Sequence, residues 1–153
     1  MCLYVDKDSV AQFSDEDITV YKVLKVLPHM TTSQFVSPIR KSLYTLGYVK
    51  CPEFLHNSLS ESKSRSSALA RIYYNDEYDE VELGIHTFAN YDEALTFVWL
   101  VTNYENLTNG TAVVVKCTIP KGTPFFKGKW ISGSILADSY ASESLILNKI
   151  VEN

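Results

Sequence analysis

The chain has 153 residues, 46% apolar and 21% charged, which excludes disorder and predicts one globular domain over 1–153 around one core. A net charge of −4 and a pI near 5.3 exclude the basic footprint expected of a nucleic-acid binder. The opening Met1-Cys2-Leu3-Tyr4-Val5-Asp6 has no basic region followed by an apolar run, and no stretch of about 18 apolar residues occurs, so neither a signal peptide nor a membrane span is predicted and the cytoplasm is the expected location.

Taken in chain order, Ser14 to Asp17 reads as a cap and one helical turn. Ile18 to Leu27 is rich in β-branched residues and ends at Pro28, which predicts a buried strand. Residues 29–42 read as irregular, and Leu43 to Tyr48 as a short element with a glycine turn at Gly47, closed by Cys51-Pro52. The serine-rich segment 57–67 reads as a polar loop. Leu69 to Tyr74 is expected to be a strand, and Val81 to Phe88 a second strand returning beside it across the acidic connection Asn75 to Glu80.

The best helix starts at Asn90 and runs over about 90–105. Asn90 is a good N-cap, and Glu93 stands three residues on, at capping-box spacing. Ala94, Phe97, Val98 and Val101 then form one apolar stripe. Asp92 and Glu93 suit the positive end of the helix dipole. Asn106 and Asn109 begin Asn-x-Thr sequences that read as a turn. Thr111 to Ile119 is the clearest strand, with Val113, Val115, Cys117 and Ile119 on one face and Ala112, Val114, Lys116 and Thr118 on the other. Pro120 to Pro124 is a sharp turn. Phe125-Phe126 leads into a Gly- and Ser-bearing stretch, and Ser144 to Ile150 is the last strand. The fold class is α+β: a small mixed or antiparallel sheet with one well-defined helix and short additional helical segments.

Few residues suggest chemistry. Cys2, Cys51 and Cys117 form no Cys-x-x-Cys, and His29, His56 and His86 lack metal-ligand spacing, so neither a disulfide framework nor a metal site is predicted. No phosphate-binding glycine loop occurs. His86, in Gly84-Ile85-His86-Thr87-Phe88, ends a predicted strand just before a capped helix, where a side chain can be presented to a cleft. Gly84 would permit close approach of a ligand. Its alternative is a structural imidazole tied to a carbonyl. Glu143 stands at the entrance to the last strand, either as solvated surface or as a carboxylate that binds a sugar hydroxyl or stabilises a cationic transition state. Arg40, Tyr21 and Tyr73 are its natural supporting groups, because arginine binds phosphate in a bidentate way and tyrosine stacks on rings. Lys116, Lys121, Lys127 and Lys129 read as a solvated edge or a contact for a phosphate-bearing ligand. Cys117 reads as core.

Three segments together resemble small uncharacterised proteins of gut bacteria and their phages: Asp17 to Leu24, Gly84 to Phe88 with Ala94, and Val114 to Thr123. That resemblance implies no activity, and would place the chain in the host cytoplasm if it is phage-encoded. The order of elements is also similar to a minimal ADP-ribosyltransferase-like domain. The corresponding places are Tyr21-Lys22 on an early strand, Gly84 to Phe88 with Ala94, the Pro120 to Gly122 turn, and Glu143 beside the final strand. The chain departs from that family in having Tyr21-Lys22 where an Arg or His is usual, in lacking the Ser-Thr-Ser pattern, and in having Ala141 two residues before Glu143.

Three functions follow. The leading expectation is a non-enzymatic binding or interaction protein with a protein or small-nucleotide partner. The alternative is an NAD- or nucleotide-binding domain of the transferase type, with Glu143 and His86 as catalytic candidates and Tyr21, Arg40, Tyr73 and Gly84 as cofactor contacts. NAD is implied only there. The third is a homo-oligomeric structural protein with an apolar face including Trp99, Phe125, Phe126 and Trp130.

Overall fold

The computed structural model describes residues 3–27, 34–37, 43–57, 68–104, 110–132 and 135–151. Arg40, His29, the serine-rich segment beyond Asn57 and the turn around Asn106 and Asn109 lie outside them. Among the described residues the architecture is α+β: an antiparallel sheet, one long helix and one short one.

The sheet is built around β3 (Ile18–Val26) and β9 (Thr111–Ile119), which pair along their whole length from Ile18↔Ile119 to Val26↔Thr111. Both strands are rich in β-branched residues, which fit a pleated, packed surface. β9 alternates as expected, with Val115, Cys117 and Ile119 buried on one face and Val114 on the other. β12 (Ser144–Ile150) flanks β9, and β6 (Gly47–Lys50) flanks β12. β4 (Gln34–Val36) lies on the far part of β3 and carries β5 (Leu43–Thr45). Leu46 separates β5 from β6, which pair with different partners, and Gly47 at the start of β6 takes φ +107°.

The other half runs β8 (Ile85–Phe88), β11 (Ile135–Ser142), β10 (Pro124–Ser132), β1 (Leu3–Asp6) and β7 (Tyr78–Val81), with β2 (Gln12–Phe13) added to β10. β3 and β8 are registered at a single pair, Tyr21↔Phe88. The chain nevertheless passes from β11 to β12 through Glu143 alone, although β8, β3 and β9 lie between those two strands in the sheet order. The sheet must therefore curl, so that the end of β11 meets the start of β12. One core cluster duly collects Val20, Leu24, Val115, Cys117 and Leu145 from the first half with Ile85, Phe125 and Tyr140 from the second.

The opposite face is covered by α2 (Tyr91–Tyr104). Its Ala94, Phe97 and Val101 pack on Val23, Phe88, Val114, Trp130 and Ala137. The Phe97 and Trp130 rings meet edge-on with centroids 5.0 Å apart, a favoured aromatic geometry. The helix begins where the capping residues stand. The Ala94 N–H donates to the Asn90 carbonyl, and the Asn90 amide donates to the Glu93 carboxylate at 3.2 Å. A third cluster joins Leu3, Val5, Val81, Phe126 and Ala141 to Phe54.

Five local expectations are corrected. Ser14 to Asp17 forms no helical turn; the Ser14 hydroxyl instead ties down the β9–β10 turn, donating to the Pro120 carbonyl (2.7 Å) and accepting from the Thr123 N–H (3.1 Å). Leu69 to Tyr74 is not a strand but largely the helix α1 (Ala68–Tyr73), which buries Ala70 and is followed at once by Tyr74, packed against Tyr78 and bonded to the Tyr4 carbonyl. Val81 to Phe88 is not one strand: Val81 ends β7, which begins at Tyr78 inside the expected acidic connection, and only Ile85 to Phe88 form β8; the two pair with β1 and with β11 rather than with residues 69–74. The stretch after Phe126 continues as a long antiparallel pair, β10 with β11, from Phe125↔Ser142 to Ser132↔Ile135. Phe125, Phe126 and Trp130 are core residues and form no apolar surface with Trp99, which is 55% exposed.

Candidate functional site

The residues singled out from sequence do not converge. His86 lies opposite Ala141, two residues before Glu143, but no hydrogen bond or ion pair joins His86 to Glu143 among the described residues. The His86 Nε2 lies 3.1 Å from the Val81 carbonyl, the tie of a structural imidazole. Glu143 is pinned by its backbone: its N–H donates to the Pro124 carbonyl (3.0 Å), and its carbonyl accepts from the Cys51 N–H (2.7 Å). Its carboxylate is 3.9 Å from Lys50 Nζ and its side chain is 25% exposed. Tyr21 packs beside Tyr91 of α2, ring centroids 5.8 Å apart, on the helix-covered face. Gly84 has φ +120°, and a Cβ there would stand 3.2 Å from the Phe54 ring. Close packing against Phe54 accounts for the glycine.

Tyr73 lies elsewhere, on α1. Its ring sits 5.5 Å from Lys129 Nζ and is 51% exposed. Lys129 also pairs with Asp138 across β10 and β11. That hydrogen bond holds the Lys129 ammonium above the ordinary lysine range, against the opposing effect of burial. Its neighbour Tyr74 donates to the Tyr4 carbonyl at 2.8 Å. Burial, reinforced by the charge of Asp6, raises the Tyr74 phenol well above its ordinary value.

What the fold does bring together is a polar row on the concave face. Directly opposed residues of an antiparallel pair point to the same side. Thr87 of β8 opposes Tyr140 of β11, and Tyr140 opposes Lys127 of β10. Lys22 follows Tyr21, so it points away from the face of Phe88 and toward that of Thr87. Its Nζ donates to the His86 carbonyl at 2.8 Å and lies 5.0 Å from the centroid of the Tyr44 ring. A lysine only 7% exposed requires such partners, because an ammonium removed from water is costly. At the other end, Lys127 is exposed and its Nζ lies 5.7 Å from the centroid of the Tyr140 ring. No carboxylate pairs with it among the described residues. Lys127 and Lys129 stand two residues apart on one strand, so they share a side, and each lies over a tyrosine ring.

Of the basic stretch noted in the sequence, only these two lysines come together. Lys116 opposes Tyr21 on the other face, and the Lys121 backbone N–H donates to Asp17. Thr87 carried no sequence signal, since a threonine in a strand is ordinary. The two-residue spacing of Lys127 and Lys129 would have shown that they share a side once Phe125 to Ser132 is seen as a strand. Cys117 is core, its thiol pushed up to about 12 by burial. Among the described residues no group of His, Cys, Asp and Glu side chains is arranged to hold a metal ion. Nor is any helix among them long and apolar enough to cross a membrane.

Comparison with protein-family models, curated proteins and solved structures gives no match for this chain.

Proposed function

We propose that this chain is a non-enzymatic binding protein of the cytoplasm that captures a small phosphate-bearing ligand with an aromatic ring, a nucleotide. The supporting observation is Lys127: an exposed ammonium over the Tyr140 ring, without a carboxylate partner among the described residues, next to the Lys129–Tyr73 pair. A phosphate takes the cation, and the half-exposed Tyr73 ring offers its face to the base. Lys129 is neutralised by Asp138 and serves to fix Tyr73. The ties of His86 to Val81 and of Glu143 to Lys50 favour binding over turnover. A phage-borne protein that sequesters a host nucleotide would need no more than this chemistry. Calorimetric titration with ATP, ADP, AMP, NAD and inorganic phosphate tests the reading. Saturable binding weakened roughly tenfold by Lys127→Ala, the loss expected for a charge-assisted contact, is the expected result. No heat with any of these ligands would overturn it.

A second reading, an NAD-using transferase with Glu143 as its carboxylate, draws on one feature. Glu143 is the single residue joining β11 to β12, where the two halves of the curled sheet meet, and its carboxylate reaches solvent beside Lys50. It predicts slow consumption of NAD that Glu143→Gln abolishes while NAD binding persists. Unchanged NAD after prolonged incubation would remove it.

A further inference from the structure

The Thr87 side chain is only 2% exposed, and its Oγ1 is buried without a hydrogen-bond partner among the described residues. Buried hydroxyls nearly always find a partner, and one left without it costs stability that valine, of the same shape, would not. A strand threonine facing water pays no such penalty. This one stands inside the polar row, between Lys22 and Tyr140. The Lys22 ammonium is bonded to the carbonyl of the residue immediately before Thr87. Tyr140, directly opposite Thr87, makes no hydrogen bond through its phenol among the described residues, and its ring rests against Phe125 with centroids 5.7 Å apart.

We infer that Thr87 is a ligand-reading residue: its hydroxyl donates to an anionic oxygen of a di- or triphosphate that enters the row from the exposed Lys127 end and runs toward Lys22. This rests on the reading of the preceding subsection and extends it by naming the polyphosphate as the recognised group. A cation at each end and hydroxyl donors between them suit a chain of phosphoryl oxygens. With strands spaced about 4.8 Å apart, the row from β3 to β10 spans roughly 14 Å at the backbone, which two lysine side chains reaching inward can close onto one polyphosphate. Tyr140 stands directly opposite Thr87, and its ring turns aside as the phosphate enters. The hydroxyl is then satisfied only in the complex, and the stability it forfeits in the free protein is recovered on binding.

The test compares wild type, Thr87→Val and Thr87→Ser by thermal melting without ligand and by calorimetry with ATP, ADP, AMP and inorganic phosphate. In the expected result Thr87→Val melts a few degrees above wild type yet binds ATP and ADP about tenfold more weakly. Thr87→Ser, which keeps the hydroxyl, binds within about threefold of wild type. Wild type binds ATP and ADP more tightly than AMP or phosphate. Equal ATP binding by wild type and Thr87→Val overturns the inference, and the nucleotide reading then stands or falls on Lys127→Ala alone. A Thr87→Val protein that melts below wild type overturns it as well, because the hydroxyl must then have a partner in the free protein. Absence of ATP binding by wild type overturns both proposals together.

Discussion

The Nζ of Lys22 lies 2.8 Å from the carbonyl oxygen of His86, and with this bond β3 is tied to β8 beside their single registered pair, Tyr21↔Phe88. Two sheet halves that share so little backbone pairing depend on such side-chain links. The lysine also fills space among core residues with its stem, and its charge faces the Tyr44 ring.

Lys22→Ala removes the stem, the charge and the donor to His86 at once. It is expected to destabilise the protein by about 2–4 kcal/mol, and Lys22→Met, which keeps the stem, by distinctly less. Urea unfolding followed by tryptophan fluorescence gives both values. Equal stability of wild type and Lys22→Ala would show that the bond does not tie the halves.

Gly128 and Gly47 make a second test. A Cβ at Gly128 would stand 2.1 Å from the Tyr4 carbonyl oxygen, whereas one at Gly47 would meet nothing within 4 Å. Gly128→Ala must push β1 away from β10 and is expected to cost more than about 3 kcal/mol. Gly47→Ala meets only the backbone strain of φ +107° and is expected to cost about 1 kcal/mol. The order of the two melting temperatures checks the close approach of β1 to β10.

Cys117 and Tyr74 give the pH dependence. Burial raises the Cys117 thiol from 9.0 to about 12 and raises the Tyr74 phenol as well. Both groups are held neutral in the fold, so their contribution is fully present below their unfolded values and is lost as pH rises toward the folded ones. Stability should therefore fall between about pH 9 and 12, and Cys117→Val should flatten that fall. Melting temperatures of the two proteins at a series of alkaline pH values provide the check; parallel curves would contradict burial of the thiol.

The same burial predicts the order of thiol modification. Cys51 is half-buried and Cys117 is fully enclosed, so iodoacetamide at mildly alkaline pH should label Cys51 of the native protein while Cys117 stays unlabelled until urea is added. Peptide mass spectrometry reads the two sites separately. Equal labelling without urea would place Cys117 at the surface.

Much of the fold was legible where one local rule dominated. The alternation from Thr111 to Ile119 and the cap of Asn90 with Glu93 stated β9 and α2 in advance, because burial on one side sets each period. The sequence misled at Leu69 to Tyr74, where Ile72, Tyr73 and Tyr74 suggest a strand. There Ala70 is the residue that turns inward, and Tyr74, just past α1, docks the helix end on the sheet through Tyr4 and Tyr78. β10 was obscured because Lys127 and Lys129 stand where apolar residues would mark one of its faces, so that only the Phe126 and Trp130 side reads as buried. The candidate site was largely illegible for a related reason. Lys22, Thr87, Tyr140 and Lys127 are distant in sequence, and only the pairing of four strands makes them one row.

The passage from β11 to β12 through Glu143 sets a condition on how the molecule is made. β3 emerges early from the ribosome with Val20 and Leu24 uncovered, and its partner β9 is synthesised only after both helices. The second half cannot finish first either, since Phe125 and Tyr140 pack in the same cluster as Val20 and Leu24. Acquisition of the native state is thus a late, all-at-once event governed by distant partners, which slows folding and lengthens the time spent as an adhesive nascent chain. The fragment 1–143, which lacks β12 and with it the buried Leu145 and Leu147, should accordingly be insoluble when expressed alone, and recover structure only when refolded with the peptide 144–153.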